Sequence, residues 1–119
     1  MIGDSVTSIG ENAFYGCSKL IEVKNLSNLS ITKGTTDHGY VGWYALDIYS
    51  AAGAPSKLVT NGDYIFYCDS AKNKYYLMAY TGDDAEIILP SDINGHNYGL
   101  YLHAFSYKPI VSVVCPEVI

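Results

Sequence analysis

Residues 6–23 read VTSIGENAFYGCSKLIEV, and the spacing of their apolar residues indicates the kind of fold. Its apolar residues follow neither the 3.6-residue period of an amphipathic helix nor the alternation of a half-buried strand. Val6 and Ile9 are followed by the adjacent pair Ala13 and Phe14, and then by further apolar residues at intervals of three. Such spacing is typical of one coil of a solenoid, in which a short strand, a tight turn and a second short strand share one interior.

Later stretches repeat this pattern. Residues 41–46, VGWYAL, match residues 9–14, IGENAF, position for position. Residues 100–105, LYLHAF, match them again, and residues 110–115 echo residues 20–23 once one residue is deleted. Self-similarity in a fixed order predicts stacked units that bury their apolar faces against one another. We expect three large apolar side chains to occupy equivalent positions in a common interior: Phe14, Leu46 and Phe105.

The pattern V-x-x-I-x-x-x-A-F-x-x-C-x-x-L-x-x-V resembles the BspA-type leucine-rich repeat of bacterial surface proteins. Residues 4–26 and 98–116 match it well, and residues 40–49 match it weakly. The resemblance implies a right-handed leucine-rich-repeat solenoid, mostly β with little helix. It also implies a cell-surface or secreted protein that adheres to proteins of a host or of neighbouring cells. The full match lies at seven positions, namely Val6, Ile9, Ala13, Phe14, Cys17, Leu20 and Val23.

Residues 58–90 are not a repeat and predict an inserted β-meander. Residues 63–68, 74–80 and 86–89 are rich in aromatic and β-branched residues, which predicts three successive strands. Both faces of the first two strands are apolar or aromatic, so one face can pack on the solenoid and the other needs a second cover. Asn94-Gly95 is a strong hairpin signal, whereas residues 50–56, which contain glycine and proline, predict a linker-like break.

Composition narrows the classes of function. A length of 119 residues fits one domain, residues 1–119, or a fragment of one. Apolar residues make up 49% of the chain and charged residues 16%, which indicates a packed core rather than disorder. The net charge is −5 and arginine is absent, so nucleic-acid binding is not expected. No apolar run is long enough for membrane insertion.

The two termini resemble the interior of a repeat array. Residues 2–6 resemble the start of an internal repeat, no signal peptide is visible, and another unit would begin at residues 116–119. We therefore expect the chain to be a piece of a longer array, with its localisation outside the cell inferred from the resemblance alone. Unpaired strand edges at such ends favour end-to-end or domain-swapped self-association.

Neither catalysis nor a metal site is predicted. A cysteine hydrolase needs a thiolate close to a histidine and an orienting acid, but no family signature surrounds any cysteine or histidine. Zinc-type pairs of cysteines or histidines at close spacing are also absent, so we expect no enzyme, no cofactor and no metal. Cys17 and Cys115 occupy repeat positions that predict small buried hydrophobes. The remaining candidates weighed for this chemistry are Cys68, His38, His96 and His103.

Binding surfaces are the remaining candidates. Residues between the inward positions of a coil point outward, and their apolar members would form an exposed strip for a protein partner. The inserted meander or a neighbouring unit could instead cover them. An alternative is a carbohydrate-binding module with tyrosine platforms, and a third hypothesis is a structural spacer in a larger surface protein. The candidate interaction residues are Ile21, Glu22, Lys24, Val111, Ser112 and Val114, with Tyr76 and Tyr80 for sugar.

Overall fold

The structure is a computed structural model that describes residues 1–116. Residues 117–119, which belong to the unit predicted to begin near the end of the chain, lie outside the described residues. The chain divides into two compact units, residues 1–56 and Lys57 onward. The boundary falls at the end of residues 50–56, the segment predicted to be a break. The described residues form eight short strands and no helix.

The first unit is built around parallel strand pairing. Strand β1 (Glu22–Lys24) pairs in parallel with β2 (Asp47–Tyr49), with Val23 opposite Ile48. Ile2 forms a further parallel bridge with Asn25. Both sequence separations lie within the length of a leucine-rich unit, about 20–29 residues. The backbone therefore returns to the same edge after each winding.

The alanine turn has the same backbone hydrogen bond in all three repeat copies. The alanine N–H donates to the carbonyl three positions earlier, at 3.1 to 3.2 Å. The first and third copies also share two left-handed residues, one directly before the alanine and one three positions after it, with φ between 60° and 78°. These four residues are Asn12, Gly16, His103 and Tyr107. The sequence match of these two copies thus corresponds to a shared backbone conformation.

The alanine turn of the second copy contacts a different part of the chain from that of the first copy. The Phe14 N–H donates to the Gly39 carbonyl at 2.7 Å, whereas the Leu46 N–H donates to the Ile21 carbonyl at 2.7 Å. Leu46 therefore lies beside the entrance to β1, and the predicted equivalence of Leu46 with Phe14 is wrong. The physical reason is that the alanine turns and the paired strands repeat at different sequence intervals. The alanines of the first two copies are further apart in sequence than the paired positions of β1 and β2, so the second alanine turn comes later in its winding.

The core of the first unit lies inside these windings. Val23, Val41 and Ala45 are buried. Partly buried apolar side chains pack against them, among them Phe14 and Ile48. The inward side chains of β1 and β2 thus meet the alanine turns, as burial of a shared apolar face requires.

The second unit contains an antiparallel sheet. Strands β3 (Leu58–Asn61), β4 (Tyr64–Asp69) and β5 (Lys74–Tyr80) pair in sequence order, so β4 and β5 form where they were predicted. Strand β7 (Gly99–Leu100) then joins β5 in parallel, with Leu77 opposite Leu100. The sequence separation of these partners equals that of the bridge between Ile2 and Asn25 in the first unit.

The predicted third strand of the meander pairs elsewhere. Strand β6 (Glu86–Ile88) does not join β5 but pairs in parallel with β8 (Ser112–Val114). A three-stranded antiparallel meander was predicted to end at residues 86–89. The strand forms there, but its predicted pairing with β5 is wrong. Strands β5 and β6 come first in the chain, and β7 and β8 return beside them in the same order. Each parallel pair of this unit therefore joins an earlier strand to a later one.

A β-bulge changes which side chains face the core of the second unit. Ile65 pairs with Ala79 but Phe66 pairs with Leu77, so Met78 is an extra residue in β5. A bulge of this kind shifts the alternation of side chains by one position. The core formed around Phe66 and Leu77 therefore includes Tyr80.

The hairpin signal at Asn94-Gly95 is confirmed. Ile93 and His96 exchange two backbone hydrogen bonds of 3.0 and 2.9 Å across the turn. Asn94 and Gly95 both have positive φ, 51° and 80°, as a two-residue type I′ turn requires.

Candidate functional site

The residues predicted to bind a partner at β1 are buried or make hydrogen bonds within the first unit. Ile21 was predicted to be exposed, but only 2% of its surface is accessible, because this residue enters the core beside Leu46. Glu22 and Lys24 are half-buried. The Glu22 carboxylate accepts the Ser56 hydroxyl at 2.9 Å, and the Lys24 ammonium donates to a backbone carbonyl at 3.2 Å. The end of the unit thus binds the very side chains predicted to bind a partner.

The predicted surface of β8 is exposed. Ile88 and Val114 pair across β6 and β8, and they are 70% and 51% accessible. Glu86 and Ser112, the first pair of the same two strands and on the same face, are exposed as well. Val111, directly before β8, is 80% accessible. We call Glu86, Ile88, Ser112 and Val114 the outer face of β6 and β8.

The two tyrosines predicted to stack on sugar are not free platforms. Tyr80 is buried, because the bulge turns it into the core, where its hydroxyl accepts the Asp84 N–H at 3.0 Å. Tyr76 is half-buried and lies against Tyr67 and Tyr101, with ring centroids 6.3 and 5.4 Å away. A sugar platform at Tyr80 is therefore excluded by burial, and the ring of Tyr76 is already in contact with two others.

An aromatic hollow in the first unit was not predicted. Its volume is about 340 Å³, and it is lined by Tyr15, Gly16, Tyr40, Trp43 and Tyr44. The Tyr15 and Tyr40 ring centroids are 5.1 Å apart at 86°, and those of Tyr40 and Trp43 are 5.9 Å apart at 73°. The rings therefore meet at steep angles and form walls rather than one flat surface. Tyr15 is 68% accessible and Trp43 is 43% accessible.

The pairing of windings explains why these rings meet. The hydrogen bond from the Phe14 N–H to the Gly39 carbonyl places residues 15 and 40 side by side, although they are far apart in sequence. A side chain at Gly39 is sterically excluded, because its Cβ would lie 2.5 Å from the Gly10 carbonyl oxygen. Glycine at this position permits the close approach on which the hollow depends.

A polar hollow adjoins the aromatic one. Its volume is about 370 Å³, and Tyr40 lines both. Four of its side chains offer hydrogen-bonding atoms and make no side-chain hydrogen bond or ion pair to any residue of the described chain. The four are Glu11, Asn12, Thr36 and His38. The chain around Tyr40 thus joins an aromatic wall to a set of available donors and acceptors.

A smaller hollow of about 290 Å³ lies in the second unit. Its wall is a stacked pair, Tyr75 and His96, with ring centroids 4.2 Å apart and nearly parallel planes. Asn73, Gly95 and Asn97 complete the lining. This stack forms where the Asn94-Gly95 turn returns the chain beside the start of β5.

The three cysteines differ in how far they are exposed to solvent. Cys17 and Cys115 are exposed, so the prediction that both are buried is wrong. Cys17 lies directly after the left-handed Gly16, at the end of the turn in which its own N–H donates to the Phe14 carbonyl at 3.1 Å. Cys68 is half-buried, and burial raises the pKa of its thiol. A raised pKa disfavours the thiolate that nucleophilic chemistry needs.

Three tyrosines of the second unit are partly shielded from solvent. Burial is the main cause that raises the pKa values of Tyr64, Tyr98 and Tyr101. Tyr98 also packs edge-on against Phe66, with ring centroids 5.0 Å apart. These hydroxyls stay protonated and serve the packing of the sheet.

Within residues 1–116, no group of three or more histidine, cysteine or acidic residues is arranged to hold a metal ion. No helix in that part of the chain is long and apolar enough to cross a membrane.

Comparison of the chain with protein-family models, with curated proteins and with solved structures finds no match in any of the three. The candidate sites of the chain are therefore the outer face of β6 and β8 and the hollows.

Proposed function

We propose that this chain is a non-catalytic adhesion module that binds a protein partner through a leucine-rich-repeat solenoid of the BspA-like kind. The module acts at the bacterial cell surface or after secretion, as the resemblance implies. The observation that carries the proposal is the outer face of β6 and β8, where Ile88 and Val114 are exposed side by side.

The parallel strands support the repeat architecture. Parallel partners in both units are separated in sequence by about 20–29 residues, the length of a leucine-rich unit. The first and third copies also share their turn geometry. A ladder of short parallel strands presents its outward side chains on a rigid backbone, which limits the conformational entropy lost on binding. The arrangement therefore suits recognition rather than catalysis.

The chemistry of the outer face defines the kind of partner. Ile88 and Val114 offer an apolar contact, and exposed apolar side chains that adjoin one another mark interaction surfaces. Glu86 lies beside the apolar pair, at the start of the same strand and on the same face, and carries a negative charge. The complementary partner is an extracellular protein that presents apolar side chains beside a lysine or arginine.

Lysine substitutions on the outer face test this proposal. Ile88→Lys and Val114→Lys place a charge at the centre of the apolar contact, and we expect each to weaken binding to soluble matrix proteins at least about tenfold. The control is Thr60→Lys, which adds the same charge to an exposed position of β3. Affinities are measured by surface plasmon resonance. Failure of the unchanged protein to bind any matrix protein, or equal affinities for all variants, would contradict the proposal.

Self-association through the same surface is a separate outcome. Sedimentation equilibrium of the unchanged chain and of Ile88→Lys distinguishes a contact between copies from a contact with a partner. We expect Ile88→Lys to leave the association state of the chain unchanged, because the proposed contact of the outer face is with a different protein. A dimer that Ile88→Lys dissociates would assign the outer face to self-association instead.

A further inference from the structure

We propose that the aromatic and polar hollows around Tyr40 form a second binding site, whose ligand is a neutral oligosaccharide. This site lies in the first unit and shares no residue with the outer face of β6 and β8, so it stands independently of the proposed adhesion function.

The aromatic hollow supplies the apolar contact that a sugar needs. One face of a pyranose ring is rich in C–H groups, and the negatively polarised face of an aromatic ring attracts them. Trp43 and Tyr15 are the most accessible rings of the hollow. Gly16 also lines the hollow, and a Cβ at this position would meet no atom within 4 Å.

The polar hollow supplies hydrogen bonds to sugar hydroxyls. Glu11 accepts, Asn12 and His38 can donate and accept, and all three line the hollow together with Tyr40. Small-ligand sites combine an apolar lining with a few convergent polar groups, in volumes of about 300–1,000 Å³. Each of these hollows lies near the lower end of that range, and together they provide two adjacent subsites.

Charge identifies the class of saccharide. Among the described residues, Glu11 is the only acidic one that lines either hollow, and neither lining contains a lysine. The whole chain also carries a net charge of −5 and lacks arginine. A sialylated or sulfated glycan would be repelled, whereas a neutral glycan loses nothing through the absence of basic groups. A length of at least two sugar rings follows, since the two subsites meet at Tyr40.

Trp43 makes the test direct, because it is the only tryptophan of the chain. Its fluorescence reports on the aromatic hollow without a label. We expect titration with neutral oligosaccharides, such as those of cellulose, chitin or mannan, to change the emission of Trp43 in a saturable way. Sialylated oligosaccharides and free choline should produce no such change.

Two variants and a control separate binding from folding. Tyr15→Ala removes an exposed ring, and we expect it to weaken oligosaccharide binding about tenfold. Glu11→Gln keeps the shape and removes the charge, so it should retain neutral glycans and reduce the rejection of sialylated ones. Tyr107→Ala removes a fully exposed tyrosine of the second unit and should change nothing. The thermal unfolding midpoint of each variant shows whether it folds.

Several results would overturn the inference. These are no response to any neutral oligosaccharide, binding that Tyr15→Ala leaves unchanged in a folded variant, and a preference for choline over sugars. The last result would assign the steeply angled rings to a quaternary ammonium group, which binds aromatic walls through cation–π attraction. The Ile88→Lys variant should bind oligosaccharide normally, so that failure of either proposal can be distinguished from failure of the other.

Discussion

At the scale of single residues, two glycines show how closely the windings of the first unit approach one another. Gly39 and Gly34 have similar left-handed conformations, with φ of 66° and 70°. A Cβ at Gly39 would lie 2.5 Å from the Gly10 carbonyl oxygen and 3.0 Å from the Ala13 nitrogen, whereas a Cβ at Gly34 would meet no atom within 4 Å. An alanine would therefore meet similar backbone strain at both positions, and only at Gly39 would its Cβ also be too close to other atoms.

Alanine at the two glycines should separate these effects. Gly34→Ala should reduce the free energy of unfolding by about 1–2 kcal/mol, the cost of a left-handed alanine. Gly39→Ala should cost about 1–3 kcal/mol more, because the windings must move apart. Urea unfolding followed by circular dichroism measures both. Equal losses in the two variants would show that the windings do not touch at Gly39.

Asp69 should make stability depend on acid pH. Burial raises the pKa of its carboxyl, but the Lys72 N–H at 3.2 Å and the Lys57 ammonium at 3.4 Å more than compensate and lower it. The folded chain therefore holds this proton less tightly than the unfolded chain. Its stabilisation is complete above the unfolded pKa, about 3.9, and is lost as the pH falls through the lower folded value.

Replacement of Asp69 tests this dependence. We expect Asp69→Asn to be less stable than the unchanged protein at pH 7. We also expect it to lose less stability as the pH falls from above the unfolded pKa of about 3.9 to below the lower folded pKa of Asp69. Asp37→Asn, which removes an exposed carboxyl, should change the free energy of unfolding at pH 7 much less. Identical pH profiles for Asp69→Asn and the unchanged protein would remove Asp69 from the acid response.

The three thiols should differ in reactivity. Cys17 and Cys115 are exposed, whereas Cys68 is half-buried and burial raises its thiol pKa. With a disulfide reagent near neutral pH, Cys17 and Cys115 should react first, and Cys68 should react on the order of tenfold more slowly. In denaturant the three should react alike. If Cys68 reacts fastest in the folded protein, the expectation of a non-catalytic chain must be reconsidered.

At the scale of elements, the sequence predicts strands better than it predicts their partners. Aromatic and β-branched residues identify β4, β5 and β6, because these preferences are local. The partner of β6 is not a local property. Strand β8 comes a full winding after β6, so its selection depends on contacts that no short window contains. The bulge at Met78 is not a local property either, and it turns Tyr80, which was predicted to bind sugar, into the core.

The aromatic hollow shows the same limit for a binding site. Tyr15 comes from the first alanine turn, and Tyr40, Trp43 and Tyr44 come from the following winding. Residues 41–46 were aligned with residues 9–14, which places Tyr44 beside Asn12 rather than Tyr15 beside Tyr40. The useful signal was the strand period, since residues 15 and 40 have the same separation in sequence as the partners 23 and 48 of β1 and β2.

The pairing of β5 with β7 offers a matched pair of leucines. Leu77 is fully buried in the core of the second unit, and Leu100, its direct partner on β7, is 52% accessible. Leu77→Ala should cost about 2–5 kcal/mol of unfolding free energy, because it removes packing and leaves a cavity. Leu100→Ala should cost at most about 0.5 kcal/mol. Similar values in urea unfolding would contradict the burial of Leu77.

At the scale of the whole molecule, both units contain the same kind of parallel strand pairing. The chain returns in parallel to an earlier strand after one winding, at β1 with β2, at β5 with β7, and at β6 with β8. The proposed functions follow from this return. It brings Ile88 beside Val114 on the outer face, and it brings Tyr15 beside Tyr40 in the hollow.

An NMR measurement of strand pairing in the isotopically labelled chain tests whether the chain returns in parallel to its earlier strands. Nuclear Overhauser contacts should connect Val23 with Ile48 and Ile87 with Val113, with neighbouring contacts that advance in the same direction along both strands. Contacts that run in opposite directions, or that join residues 86–88 to β5 as an antiparallel meander, would contradict the parallel return of the chain.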